Sequence, residues 1–203
     1  MAIALVEHCG ESARPPVSVG VLLLAAGRSR RFGQDKRLAL LPDGKTVIQT
    51  TIDQIKKSGL PLKVCVAGDD FPISQKIQCA EAEIIFCSRS HRGMGATLSE
   101  GIEAAGHWKG TIIALADMPW VASSTYLILS RTVSSDWICI PEFRGSRGNP
   151  VALGSSFYPE LRVLNDDIGA RRVLKILENE HLKVIPVDDA GVLRDVDTKQ
   201  DIV

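Results

Sequence analysis

The sequence lacks a net charge: its 24 lysines and arginines balance 24 aspartates and glutamates. No overall field therefore gathers nucleic acid or an anionic membrane, and any anion site must be local. Histidine is scarce, and the four present (His8, His91, His107, His181) lack metal-ligand spacing. No serine sits in a G-x-S-x-G elbow, so zinc-enzyme and hydrolase readings fall away. The five cysteines (Cys9, Cys65, Cys79, Cys87, Cys139) form an odd set without a C-x-x-C pair. Several lie in apolar runs, where a reduced thiol acts as a small hydrophobe, and a cytoplasmic location is expected. No apolar run approaches 18 residues, and residues 1–17 lack a secretory core, being broken by Glu7, Glu11, Arg14 and Pro15-Pro16. That stretch is expected to be a loose leader, with no membrane association.

What remains is ordinary globular composition, 45% hydrophobic and 24% charged across 203 residues, which suggests neither disorder nor coiled coil. One domain over residues 18–203 is expected. The run from Val19 to Ala26 is continuously apolar and ends at Gly27, as a buried parallel strand feeding a loop does. Val47, Ile48, Thr51, Ile52 and Ile55 share one helical face, and Gly59-Leu60-Pro61 breaks the pattern before a strand over Leu62 to Val66. The alternation continues with a strand at Glu83 to Cys87, a helix from Gly95 to Ala105, a strand at Thr111 to Ala116, a helix after Ser123 and a strand at Trp137 to Pro141. Beyond Pro141 come a glycine- and arginine-rich stretch to Pro150, a short strand at Val151 to Leu153 and a helix over Gly169 to Glu180. The implied fold class is α/β, a doubly wound, mostly parallel, Rossmann-like sheet whose late segment completes the same sheet and contacts a second ligand.

Ligands of such folds bind outside the carboxyl ends of the strands. The loop there, Gly27-Arg-Ser-Arg-Arg-Phe-Gly33-Gln-Asp-Lys36-Arg37, has two glycines that let backbone N–H groups turn outward. Arg28, Arg30, Arg31, Lys36 and Arg37 concentrate positive charge beside them, which suits a polyphosphate. It is neither a P-loop nor a dinucleotide fingerprint, since the glycines are six apart and Lys36 does not follow the second. By charge alone it could equally be a solvated face. Asp117 closes the strand before Met118-Pro119 and suits Mg²⁺, which takes one or two carboxylates together with phosphate oxygens; a turn or capping aspartate is the plain alternative. Asp195 and Asp197 alternate along an expected late strand and share one face, either completing the metal site or standing as ordinary surface acids. Gly93-Met-Gly95-Ala-Thr97 opens a helix and could cradle a base or ribose, or be a simple helix start.

Taken together, Leu24-Ala-Ala-Gly27-x-Ser29-x-Arg31-Phe-Gly33-x-x-Lys36, Gly93-Met-Gly95, Asp117-Met-Pro119, Arg147-Gly-x-Pro150, Asp167-x-Gly-Ala-Arg171 and Asp195-x-Asp197-Thr198 resemble the molybdenum cofactor nucleotidyltransferases. The match runs from Val19 to Val203. Within that family the ending Leu-Ala-Ala-Gly resembles the cytidylyltransferase branch, where the guanylyltransferase branch has Leu-Ala-Gly-Gly. Asp166 and Asn149 depart from the family's usual glycine and histidine. The resemblance implies a Mg-dependent enzyme moving CMP from CTP to a molybdopterin-type acceptor, with a molybdenum hydroxylase or its chaperone receiving the product. It further implies that Gly27, Arg28, Arg31, Gly33 and Lys36 hold the triphosphate and that Leu24, Ala25, Ala26, Gly93, Gly95 and Thr97 hold base and ribose. Asp117 would bind Mg²⁺, joined by Asp195 or Asp197, and Arg147, Asn149, Asp167 and Arg171 would lie toward the acceptor. GTP, a sugar phosphate or isoprenoid acceptor, and a non-catalytic cofactor-delivery module are the alternatives. An oxidoreductase acting on aromatic pigments is disfavoured by the lack of G-x-G-x-x-G.

Overall fold

The computed structural model describes residues 19–27, 35–78, 82–165 and 181–202. Strand β1 (Val19–Leu24) is apolar on both faces because both are covered: Val21, Leu23 and Ala25 enter one core cluster, Leu22 and Leu24 the other. A strand buried this way belongs at the centre of a sheet, and β1 pairs in parallel with β2 (Leu62–Ala67) and β4 (Gly110–Leu115). Beyond β2 lies β3 (Glu83–Cys87), also parallel. On the other side β7 (Val151–Gly154) runs antiparallel to β4, and β5 (Ile138–Phe143) antiparallel to β7, so β5 points the same way as β1 and β4. The order is β3-β2-β1-β4-β7-β5-β6, where β6 is Ser146–Arg147, and β8 (Leu182–Pro186) adds in parallel to β5. This is the expected mostly parallel α/β sheet, completed by its late segment. The chain leaves β1 toward β2 and β3, then crosses back to β4 on β1's other side. Such a switch point opens a crevice at the carboxyl ends of β1 and β4.

Helix α1 (Val47–Lys57) starts at a capping box in which Thr46 and Gln49 satisfy each other's backbone N–H, and it buries the five residues whose spacing foretold it. It shares a face of the sheet with α4 (Ser123–Thr132). On the opposite face α3 (Met94–Ala104) packs beside α5 (Tyr158–Arg162). α3 lies so close that a Cβ on Gly101 would stand 2.6 Å from Leu22 and 2.7 Å from Cys65.

Several expectations change. Helix α2 (Phe71–Gln78) lies between β2 and β3, where the sequence suggested no element; it opens on Phe71-Pro72 and turns only Ile73, Ser74 and Ile77 inward, too weak a pattern to stand out. Residues 194–197 are not a strand but an irregular segment between two short 3-10 turns, Ala190–Leu193 and Lys199–Ile202. The backbone bond from Val196 N–H to Asp117 C=O, 2.8 Å, ties them to the end of β4 in place of a ladder. The leader 1–17 and the helix over Gly169–Glu180 lie outside the described residues. No described helix is long and apolar enough to cross a membrane.

Candidate active site

The end of β1 and the end of β4 are neighbours: Ala116 N–H donates to Leu24 C=O at 3.2 Å, so Ala25-Ala26-Gly27 and Asp117 emerge side by side. Gly27 is exposed, and a Cβ there would meet nothing within 4 Å. Behind Asp117, Met118 is buried and bonds back to Leu115, while the Thr51 hydroxyl donates to Ala116 C=O, anchoring the strand end to α1.

Lys36 arrives on a short 3-10 turn (Lys36–Leu38) capped by Asp35. Its ammonium lies 2.8 Å from Asp117 Oδ2 and 3.0 Å from Asp197 Oδ1. Burial works against that charge, but the hydrogen bond and charge of Asp117, then those of Asp197, outweigh it and hold the Lys36 pKa above the ordinary lysine value. Lys36 is therefore a cation throughout the physiological range. Asp195 and Asp197 reach the same place because Val196 between them is fully buried against Ala39, Leu41 and Val47. Their i, i+2 spacing thus puts both carboxylates on one side without a strand. Donor oxygens of Asp117, Asp195 and Asp197 lie within 4.8 Å of one another. Burial first, then the negative charges of Asp197 and Asp117, push the Asp195 pKa up. The other Asp117 oxygen, Oδ1, is buried with no hydrogen-bond partner among the described residues. An all-carboxylate donor set with one orphaned oxygen fits a hard divalent cation.

Arg37 behaves differently from the expected phosphate-holding cluster. Its guanidinium is buried, forked on Asp35 (2.8 and 2.5 Å), paired with Asp70 (2.6 Å), and donates to Ala25 C=O. Two carboxylates surround one cation, so Arg37 adds no free positive charge to the loop. Ala25 is also spent: its N–H bonds Cys65 C=O and its C=O receives Arg37. Of Leu24, Ala25 and Ala26, the residues expected to hold the base, only Ala26 has backbone groups without a partner among the described residues, so base reading by these three falls to Ala26.

Gly93 adopts φ 123° at the start of α3, a left-handed value that favours glycine. Gly95 is buried. Thr97 is also buried and donates its hydroxyl to Gly93 C=O at 3.3 Å, closing its own helix turn. No hydrogen bond or ion pair among the described residues joins this helix start to Lys36 or Asp117. Arg147 is exposed on β6, and Asn149 bonds through its N–H to Val192 C=O at 2.9 Å. A Cβ on the intervening Gly148 would overlap that carbonyl. Arg147 and Asn149 thus lie at β5's carboxyl end, against the turn from which residues 194–197 run to Asp117. Arg28, Arg31, Gly33, Asp167 and Arg171 lie outside the described residues.

A sequence model of the MobA-like NTP transferase domain matches residues 21–184, most of the chain and all of the elements just described up to β8. The chain belongs to the MobA-like NTP transferase family. It carries that family's nucleotidyltransferase domain, and the cleft between β1 and β4 is where its Lys36 and aspartates converge. The purine catabolism protein PucB of Bacillus subtilis (strain 168) is 30% identical over 202 residues, covering 93% of this chain and 95% of PucB. Among solved structures, Rv0371c of Mycobacterium tuberculosis H37Rv superposes with a TM-score of 0.78 at 23% identity over 92% of this chain and 96% of that one. Its manganese complex gives 0.73 at 21% identity, over 91% and 95%. The molybdopterin-guanine dinucleotide biosynthesis protein A of Archaeoglobus fulgidus gives 0.65 at 22% identity, over 90% and 94%. At these identities the structural matches establish the Rossmann-like nucleotidyltransferase fold.

Reading the sequence missed the Asp35–Arg37–Asp70 cluster and the role of Val196. Nothing in the charge pattern separates a buried arginine from a solvated one. For Val196 a signal exists, an apolar residue alternating with two acids, but that period of two is equally the signature of a strand.

Proposed function

We propose that this MobA-like chain transfers CMP from CTP to the terminal phosphate of a molybdopterin-type acceptor, releasing pyrophosphate, with Mg²⁺ as its metal. The observation that carries the reading is the meeting of Lys36, Asp117, Asp195 and Asp197 at the carboxyl edge of β1 and β4. Choice of cytosine rests on the ending Leu24-Ala-Ala-Gly27, and choice of acceptor on the resemblance of the later motifs. A molybdenum hydroxylase as recipient rests on the resemblance, and the naming of PucB as a purine catabolism protein favours one acting on purines.

The acceptor phosphate needs no general base, because a phosphate monoester with a second pKa near ~6 is largely ionised at neutral pH. What the site must do is bring two polyanions together and meet the charge that develops on the α-phosphate and the leaving pyrophosphate. Lys36, kept protonated by its aspartates, is the described cation placed for that. Asp117, with Asp195 and Asp197, would hold Mg²⁺, which when bound supplies Lewis-acid charge neutralisation of phosphate oxygens. Ala26, with its unpaired backbone groups, would face the base. Arg147 and Asn149, toward β5's end, lie on the side left for the acceptor. Arg31, Asp167 and Arg171 keep the roles that the resemblance gives them.

Product mass tests the reading. Incubation with molybdopterin-bound molybdenum and all four nucleoside triphosphates should yield an acceptor heavier by CMP. A GMP adduct would assign the guanylyl reaction, and, with a sugar phosphate and an isoprenoid-precursor phosphate added to the same mixture, modification of either beside unmodified molybdopterin would replace the acceptor.

A further inference from the structure

We infer that Arg37 is a positioning residue for nucleotide binding: it staples the end of β1, the turn carrying Lys36 and the β2–α2 connection to one another. The inference rests on the nucleotidyltransferase reading above and goes beyond it, since Arg37 is placed to touch no substrate. Three observations carry it. The guanidinium is buried, out of reach of a ligand in the cleft. Its donors are committed to partners from three separate segments, Ala25 C=O, Asp35 and Asp70. The first two partners lie on either side of residues 26–34, so one planar group holds the spacing between Ala26, where the base would lie, and Lys36, where the phosphates would lie.

The geometry needs arginine. Nε and Nη2 form the fork on Asp35, Nη2 also reaches Asp70, and Nη1 takes the carbonyl; a lysine ammonium offers no planar fork and cannot span these partners in one arrangement. Among the described residues the Arg37 cation stands between two carboxylates, so it offers no free charge to a polyphosphate. Its benefit must come from order: the staple fixes backbone that would otherwise have to be ordered when nucleotide binds.

The test compares wild type, Arg37→Lys, Asp70→Asn and the Arg37→Lys/Asp70→Asn double variant in three measurements: thermal unfolding without nucleotide, CTP affinity with Mg²⁺ by calorimetry, and kcat at saturating CTP. Positioning predicts that Arg37→Lys and Asp70→Asn each raise the CTP Kd and KM roughly 10-fold, about 1.4 kcal/mol, while kcat stays within about 3-fold. The double variant should lose less affinity than the two single losses combined, as expected when the singles share the Arg37–Asp70 interaction. Asp70→Asn is decisive because it removes a negative charge near a polyanion site. Tighter CTP binding by Asp70→Asn, full affinity in Arg37→Lys, or a lowered Tm with unchanged Kd would each overturn the proposal, the last leaving Arg37 a purely structural residue. Failure of the nucleotidyltransferase reading would appear in the wild type, which would bind no nucleoside triphosphate, and the proposal would fall with it.

Discussion

Removing Lys36 should tighten the grip of the nucleotide-free protein on a divalent cation while disabling catalysis. The ammonium lies 2.8 Å from Asp117 and 3.0 Å from Asp197, two of the three aspartates that bring donor oxygens within 4.8 Å of one another. It therefore stands where a metal would draw its ligands, and an arriving cation must displace it or bear its repulsion. Two unit charges ~4 Å apart interact by about 4 kcal/mol at an effective dielectric of ~20. Asp197 is 64% exposed, so solvent and salt screening reduce the effective competition to about 1–2 kcal/mol. Lys36→Ala should accordingly bind Mn²⁺ roughly 5- to 30-fold more tightly than wild type. Calorimetry or Mn²⁺ paramagnetic resonance on nucleotide-free protein reads this directly, and the gap should narrow in high salt. Turnover of the same variant should fall by about 10²-fold or more, the scale of losing one preorganised charge at a developing oxyanion. Equal or weaker Mn²⁺ binding in Lys36→Ala would refute the argument that ammonium and metal compete for the same aspartates.

Three further outcomes follow from the same geometry. Asp117→Asn keeps the shape but removes charge from the carboxylate with the orphaned oxygen, so the metal concentration for half-maximal activity should rise at least about 10-fold; an unchanged Mg²⁺ titration would remove Asp117 from the metal site. Because burial and its acidic neighbours raise the Asp195 pKa, the metal-free protein should lose stability as pH rises through that raised value. Metal affinity should fall as pH drops through the same value, above the 3.8 of a free aspartate; a Mn²⁺ titration flat down to about pH 4 would contradict this. Gly148→Ala drives a Cβ into the Val192 carbonyl and should cost about 1–3 kcal/mol by thermal or denaturant unfolding. Metal binding should weaken with it because residues 194–197 follow that turn, and a variant as stable as wild type would contradict the packing.

The apolar spacing made much of the fold legible. The five inward residues of α1 and the unbroken run of β1 describe surfaces that must be covered, and their periods are those of the elements they form. The two strand ends were equally readable, because a basic loop after β1 and an aspartate after β4 mark the edge where such sheets bind ligands. What escaped depended on partners far along the chain. Arg37 looks like its neighbours until Asp70, 33 residues away, takes up its charge. The bond by which the Thr97 hydroxyl closes its own helix turn, four residues back, is equally invisible in the spacing. Around Val196 a period of two mimicked a strand, although a backbone bond to the end of β4 ties the segment in place of a ladder.

Pyrophosphate release tests the central claim most directly. Wild-type protein with Mg²⁺ and molybdopterin-bound molybdenum should release pyrophosphate from CTP and not from GTP, ATP or UTP at equal concentration. No release from any of the four, with acceptor and metal both present, would contradict the assignment of Lys36 and the aspartate cluster to nucleotidyl transfer onto this acceptor.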